Sequence, residues 1–119
     1  MATTMEYEAP ETYVLRVSGM LKRSEFGAAQ NQLSEKIDGG AKPRVLVILD
    51  EFKGWERDAD WNDLDFLFSQ SGKIEKIAVV AEQRWETQAL AFAGAGVRRA
   101  PVRFFPPIEL SAARAWLLA

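Results

Sequence analysis

The side chains of this 119-residue chain best suited to chemistry are carboxylates, and three of them stand at the ends of apolar runs. Asp50 and Glu51 follow Val45 to Leu49, and Glu82 follows Ile77 to Ala81, so the three are candidates for acid–base work on a shared rim. The chain contains no histidine and no cysteine. Zinc sites built on those ligands, thiolate nucleophiles and a Ser-His-Asp relay are thereby excluded, and no nucleophile–base motif accompanies the acids. The expectation is a protein that is not an enzyme, with the rim carboxylates as the enzymatic alternative.

The acids continue beyond the rim. Asp50, Glu51, Glu56, Asp58, Asp60, Asp63 and Asp65 are met only by Lys53 and Arg57, a local net charge of -5 in a chain whose total is -2. Such a run reads as a solvated face, with Asp58 and Asp60 favourable at the positive end of a helix. Its spacing lacks the alternating oxygen ligands and the glycine of a calcium loop, so no metal is expected. It would repel phosphates and anionic membrane surfaces, and the chain shows no basic field for nucleic acid.

Residues this sparse in chemistry must be positioned by the fold. The length suits one domain over residues 1–119, which buries roughly two-thirds of its unfolded surface without a disulfide or metal. Met1 to Pro10 has no basic lead or apolar core of signal-peptide length, and no apolar run is long enough to span a membrane. A cytoplasmic protein is expected, in keeping with the absence of cysteine.

Met5 to Glu8 can pair as an edge strand with Thr12 to Ser18, where Tyr13, Leu15 and Val17 alternate with Val14, Arg16 and Ser18 and Gly19 marks an end. From Lys22 to Asp38, Phe26, Ala29, Leu33 and Ile37 fall on one helical stripe closed by Gly39-Gly40; either Ser24 or Lys22 is the cap. Arg44 to Asp50 is an apolar strand without polar alternation, as required where helices cover both faces. Asp58 to Ser71 carries Trp61, Leu64 and Phe68 on one helical face, with Phe66 almost opposite. Ile77 to Ala81 is the next strand, followed by a helix with Trp85, Ala89 and Phe92 on one side. Gly94-Ala95-Gly96 stops that helix; it reads as a terminator rather than a phosphate cradle, and no cofactor is expected. Val102 to Phe105 is the last strand, and Glu109 to Leu118 closes the chain as a helix burying Leu110, Ala113, Trp116 and Leu117. This alternation predicts an α/β fold: a single-layer, mixed, mostly parallel sheet of four to five strands with about four helices.

In such sheets ligands sit beyond the carboxyl ends of the strands, at a switch in strand order. Those ends are Gly19 to Leu21, Glu51 to Trp55, Glu82 to Trp85 and Phe105. They combine Glu51, Lys53, Glu82 and Arg84 with the aromatic residues Phe52 and Trp55, a composition closer to a pocket for an amphipathic molecule than to a catalytic centre. Trp61, Trp85 and Trp116 lie on core stripes and are read as packing, whereas Trp55 is open between a loop anchor and a contact residue. Phe66, on the polar side of its helix, is read as a partner contact.

Several segments in order resemble one family. They are Val17-Ser18-Gly19, the run Val45 to Trp55, Asp63 to Phe66, Lys76 to Val80, Arg84-Trp85, Arg103-Phe104-Phe105-Pro106 and Ala113 to Leu117. Together they resemble the SpoIIAA-like family, which is similar in fold to STAS and CRAL-TRIO domains. The resemblance implies a small non-catalytic bacterial module. With the aromatic strand ends it implies a crevice under the segment from Phe52 to Phe68 for a lipid-like molecule; the alternative is a protein-interaction face, for a homodimer or regulatory protein partner, on the acidic, aromatic helix with Phe66. The ligand- or partner-binding set is then Glu51, Phe52, Lys53, Trp55, Trp61, Phe66, Glu82 and Arg84. STAS-type antagonists carry a phosphorylatable Ser after the equivalent central strand, but Asp50 to Asp60 contains no Ser or Thr. Lys22 and Ile108 also stand where the family would place a capping Thr or Asp.

Overall fold

A computed structural model describes residues 2–8, 12–39, 43–55, 74–93 and 101–119. Five strands form one sheet: β1 (Ala2–Glu8), β2 (Thr12–Leu21), β3 (Arg44–Trp55), β4 (Lys76–Val80) and β5 (Val102–Phe105). Helix α1 (Arg23–Asp38) links β2 to β3, α2 (Glu86–Ala93) follows β4, and α3 (Leu110–Leu118) follows β5. The helix predicted from Asp58 to Ser71, with Trp61, Leu64, Phe66 and Phe68, lies outside the described residues, as does the stop at Gly94 to Gly96.

The strand order is β1-β2-β3-β4-β5, with β1 antiparallel to β2 and every other pair parallel. Among the described strands there is therefore no switch in order of the kind that was expected to mark a ligand crevice. The period-two alternation of the strands sorts the core onto two faces. On one face Leu15, Val17, Val45, Leu49, Ile77 and Val79 meet Ala29 and Leu33 of α1 and Ala89 of α2. On the other, Val14, Leu46, Ile48, Ala78, Val80 and Phe105 meet Ala113 and Leu117 of α3. This double cover is why Val45 to Leu49 shows no polar alternation.

Three strands run further than expected, β1 by starting at Ala2 rather than Met5 and the other two at their far ends. β2 does not end at Gly19: that residue adopts φ 79° and pairing resumes with Met20 opposite Gly54 and Leu21 opposite Trp55. β3 likewise does not give way to a loop at Glu51 but continues to Trp55. Between the Ser18–Asp50 and Met20–Gly54 pairs, Gly19 alone stands against Glu51, Phe52 and Lys53. That bulge is accommodated by positive φ at Gly19, Glu51 (51°) and Gly54 (109°).

The helix starts follow backbone rather than side-chain capping. The Lys22 carbonyl accepts the Phe26 N–H at 2.9 Å, which makes Lys22 the cap and places Ser24 inside the first turn. α3 is entered through a 3-10 turn, Pro107–Glu109, with Pro107 at a first-turn position where no N–H is needed. Its far end is held by Lys76, whose Nζ donates to the carbonyls of Trp116 (2.9 Å) and Ala119 (3.0 Å) and lies 5.0 Å from the Trp116 ring centre. Its middle is tied to β1 by Arg114, which donates to both oxygens of Glu8 at 3.2 and 2.9 Å. That paired hydrogen bond holds the Glu8 carboxyl below its ordinary pKa and raises the Arg114 guanidinium.

Candidate functional site

The strand-end residues are gathered by the extension of β3. β4 ends at Val80, opposite Ile48, so among the described strands β3 is paired from Leu49 onward with β2 alone. A 3-10 turn, Gln83–Trp85, follows the end of β4, and its Trp85 indole packs against the extension. This turn is closed by the Trp85 N–H donating to the Glu82 carbonyl at 2.9 Å, while the Ala81 N–H donates to Phe105 at 3.2 Å and fixes the end of β4 to β5.

Three rings meet there. Phe52 lies edge-on to Trp55 and to Trp85, with centroids 5.0 Å apart in both pairs, and the two indoles are 6.0 Å apart at 77°. Edge-to-face geometry sets the positive rim of one ring on the negative face of the next. Gly54 is required for its φ of 109° rather than for space, since a Cβ built there would meet the Trp85 ring at an ordinary 3.6 Å.

Burial separates the residues of the predicted set. Phe52 is only 1% exposed, so it is a core residue beneath the surface rather than a lining residue. Trp55 and Trp85 are half-buried, while Glu51, Lys53, Glu82 and Arg84 are exposed. Arg84 lies 5.2 Å from the Trp85 ring centre and 3.6 Å from the Glu82 carboxylate. Both are solvated, so the ion pair itself contributes little. Trp61 and Phe66 lie outside the described residues. Trp85, read from its helical stripe as packing, does pack, but it also forms the second wall of this surface. The usable signal was its place directly after a strand end, beside Arg84.

Two further features characterise this surface. The Trp85 Nε1 is buried without a hydrogen-bond partner among the described residues. The half-buried indoles are framed by charges of both signs, the arrangement of an aromatic anchor within a polar rim. For chemistry the surface offers less. Among the described residues no three His, Cys, Asp or Glu side chains come together as a metal site requires. No described helix is long and apolar enough to cross a membrane.

The fold is that of an α/β module of the SpoIIAA type. The SpoIIAA-like family model matches residues 12–118, and the chain belongs to that family. Solved structures agree on the fold. A protein from Shewanella loihica PV-4 described as having a SpoIIAA-like fold is similar with a TM-score of 0.65 and 20% identity, over 98% of this chain and 92% of that one. The anti-sigma factor antagonist SpoIIAA in its unphosphorylated form gives 0.65 and 14%, over 97% and 98%. The Bacillus cell fate determinant SpoIIAA in its phosphorylated form gives 0.62 and 15%, over 97% and 99%. No curated protein matches the sequence.

Proposed function

We propose that this chain is a non-catalytic protein-binding module whose contact surface is the strand-end platform of Trp55 and Trp85, rimmed by Glu51, Lys53, Glu82 and Arg84. The observation that carries the reading is the pair of half-buried indoles pinned on Phe52 within exposed charges. Tryptophan and arginine in rigid, partly desolvated settings carry a large share of binding energy in protein interfaces. Trp61 and Phe66 join the surface on sequence grounds alone. SpoIIAA, a neighbour in fold, is an anti-sigma factor antagonist, and by that analogy the partner is a regulatory protein of the cytoplasm. Phosphorylation within Asp50 to Asp60 is not the control here, because that segment has no hydroxyl to accept it.

The test is photo-crosslinking in cells from Lys53 and Arg84, with Asn31 of α1 and Ser111 of α3 as exposed controls. A discrete adduct confined to Lys53 and Arg84 is expected. In a reconstituted complex with the protein so identified, Trp55→Ala should weaken binding roughly tenfold or more. Adducts absent from both platform positions, or equal at all four, refute the reading.

A second reading is a small amphipathic or lipid-like ligand held by the same rings, favoured by the Trp85 N–H that lacks a described acceptor. Native mass spectrometry of protein purified from cells checks it. Repeated absence of a copurified molecule, with no thermal shift from fatty acids, counts against it.

A further inference from the structure

Among the described strands the outer edge of β1 lies at the end of the sheet, with β2 on its inner side. From this edge we infer that a second copy of the chain docks antiparallel along β1, about a two-fold axis at Met5, to give one sheet continuous through both copies. A two-fold strand pair places a patch against itself, so its register must be self-complementary. β1 reads Ala2-Thr3-Thr4-Met5-Glu6-Tyr7-Glu8, and Met5 is its centre. Full overlap therefore sets Met5 against Met5, Thr4 against Glu6, Thr3 against Tyr7 and Ala2 against Glu8. Neither acid then opposes an acid. A slip of the axis by one residue to Glu6 would put the two Glu6 side chains directly opposite, which is unfavourable.

Both faces of the sheet add complementarity to that register. Thr4 is paired with Arg16 of β2, which is exposed; within its own chain the Arg16 charge acts on Glu8, whose carboxylate is hydrogen-bonded to Arg114 instead. In the dimer the row across the sheet runs Arg16, Thr4, then Glu6 of the second copy. Arg16 and that Glu6 flank one short threonine at about twice the interstrand spacing, roughly 10 Å between backbones, and their long side chains can meet over it. A groove of about 360 Å³ beside β1 is lined by Thr3, Thr4 and Met5 of the strand and by Glu25, Ala28, Ala29 and Gln32 of α1. Thr3 stands opposite Tyr7 of the second copy, so this groove receives that ring. Tyr7 is 58% exposed in the single chain and lies edge-on to Tyr13 at 5.2 Å, already oriented on this face.

Because the chain has no cysteine, the register is testable by crosslinking. Thr4→Cys and Glu6→Cys are exposed substitutions, and across the interface these positions have Cα atoms about 4.5–5.5 Å apart, within disulfide reach. Under mild oxidation a mixture of the two variants should form the mixed disulfide far more readily than either variant alone. Sedimentation equilibrium of the native chain should show a reversible dimer. Arg16→Glu and Glu6→Arg should each weaken it about tenfold, and the double variant should recover most of the loss. A chain that stays monomeric at all concentrations, crosslinking no faster in the mixture than alone, or a double variant as weak as the single ones would each overturn the inference.

Discussion

Phe52 is the residue on which the strand-end platform stands, and removing its ring should be costly in a way that can be apportioned. It is fully buried, and its ring supports both Trp55 and Trp85 at 5.0 Å. Phe52→Ala removes the buried area and leaves a cavity, with an expected loss of about 3–5 kcal/mol. Phe52→Leu keeps most of the apolar volume but gives up two edge-to-face contacts worth about 0.5–1.5 kcal/mol each, so about 1–3 kcal/mol is expected. Urea unfolding followed by tryptophan fluorescence reads both values, provided the slope of free energy against denaturant is unchanged. Near-ultraviolet circular dichroism adds the geometric readout, since the coupled signal of the two indoles at 6.0 Å should fall in both variants. A Phe52→Ala loss under about 1 kcal/mol, or equal losses for Leu and Ala, would refute the assignment of Phe52 as the buried support of the platform.

Further outcomes follow from the backbone and the charges. Gly54→Ala should lose about 1–3 kcal/mol, from the φ of 109° rather than from crowding, since the added Cβ meets the Trp85 ring at an ordinary 3.6 Å; a neutral result in thermal unfolding would contradict this. Glu51→Gly relieves a left-handed conformation at φ 51° and should raise stability by about 1 kcal/mol, a gain readable in the same experiment. Glu8→Gln should cost about 0.5 kcal/mol at neutral pH, a figure discounted because both side chains of the Glu8–Arg114 pair are 37% exposed. The Glu8 pKa is depressed in the folded chain, so this contribution is present above the unfolded carboxyl's pKa and is lost as pH falls through the folded value. The gap between native and Glu8→Gln unfolding curves should therefore close on acidification, and a constant gap would count against the pair as its source. Lys76→Ala leaves the last carbonyls of α3 without their cation and should cost about 1 kcal/mol, with earlier hydrogen exchange in that helix than in α1.

The adaptation of this surface is distributed between strain and packing. The positive φ values of Glu51 and Gly54 belong to one bulge, and that bulge turns Phe52 inward while leaving Glu51 and Lys53 exposed. A regular ladder would have lacked the extra residues that set Gly54 against Met20 and Trp55 against Leu21. The packing of Phe52 against Trp55 and Trp85 thus arises from the same local irregularity that hid the strand in the sequence.

What the sequence determined by itself was the set of elements whose side chains repeat with a clear period. Val45 to Leu49 and Ile77 to Ala81 are apolar at every position because helices cover both faces, and Ala29, Leu33, Ala113 and Leu117 face the sheet because helical spacing leaves them no other side. The lack of histidine and cysteine likewise removed whole classes of catalysis without any coordinates. Tertiary structure alone decided where strands stop and which end of the sheet carries a surface. Gly19 and the charged run Asp50-Glu51-Phe52-Lys53-Gly54 carry turn chemistry, so local preference ended both strands early, whereas pairing between β2 and β3 carried them on to Leu21 and Trp55. The sequential strand order and the meeting of Phe52, Trp55 and Trp85 are long-range pairings, selected by the packing of the whole sheet and invisible in any one window of residues.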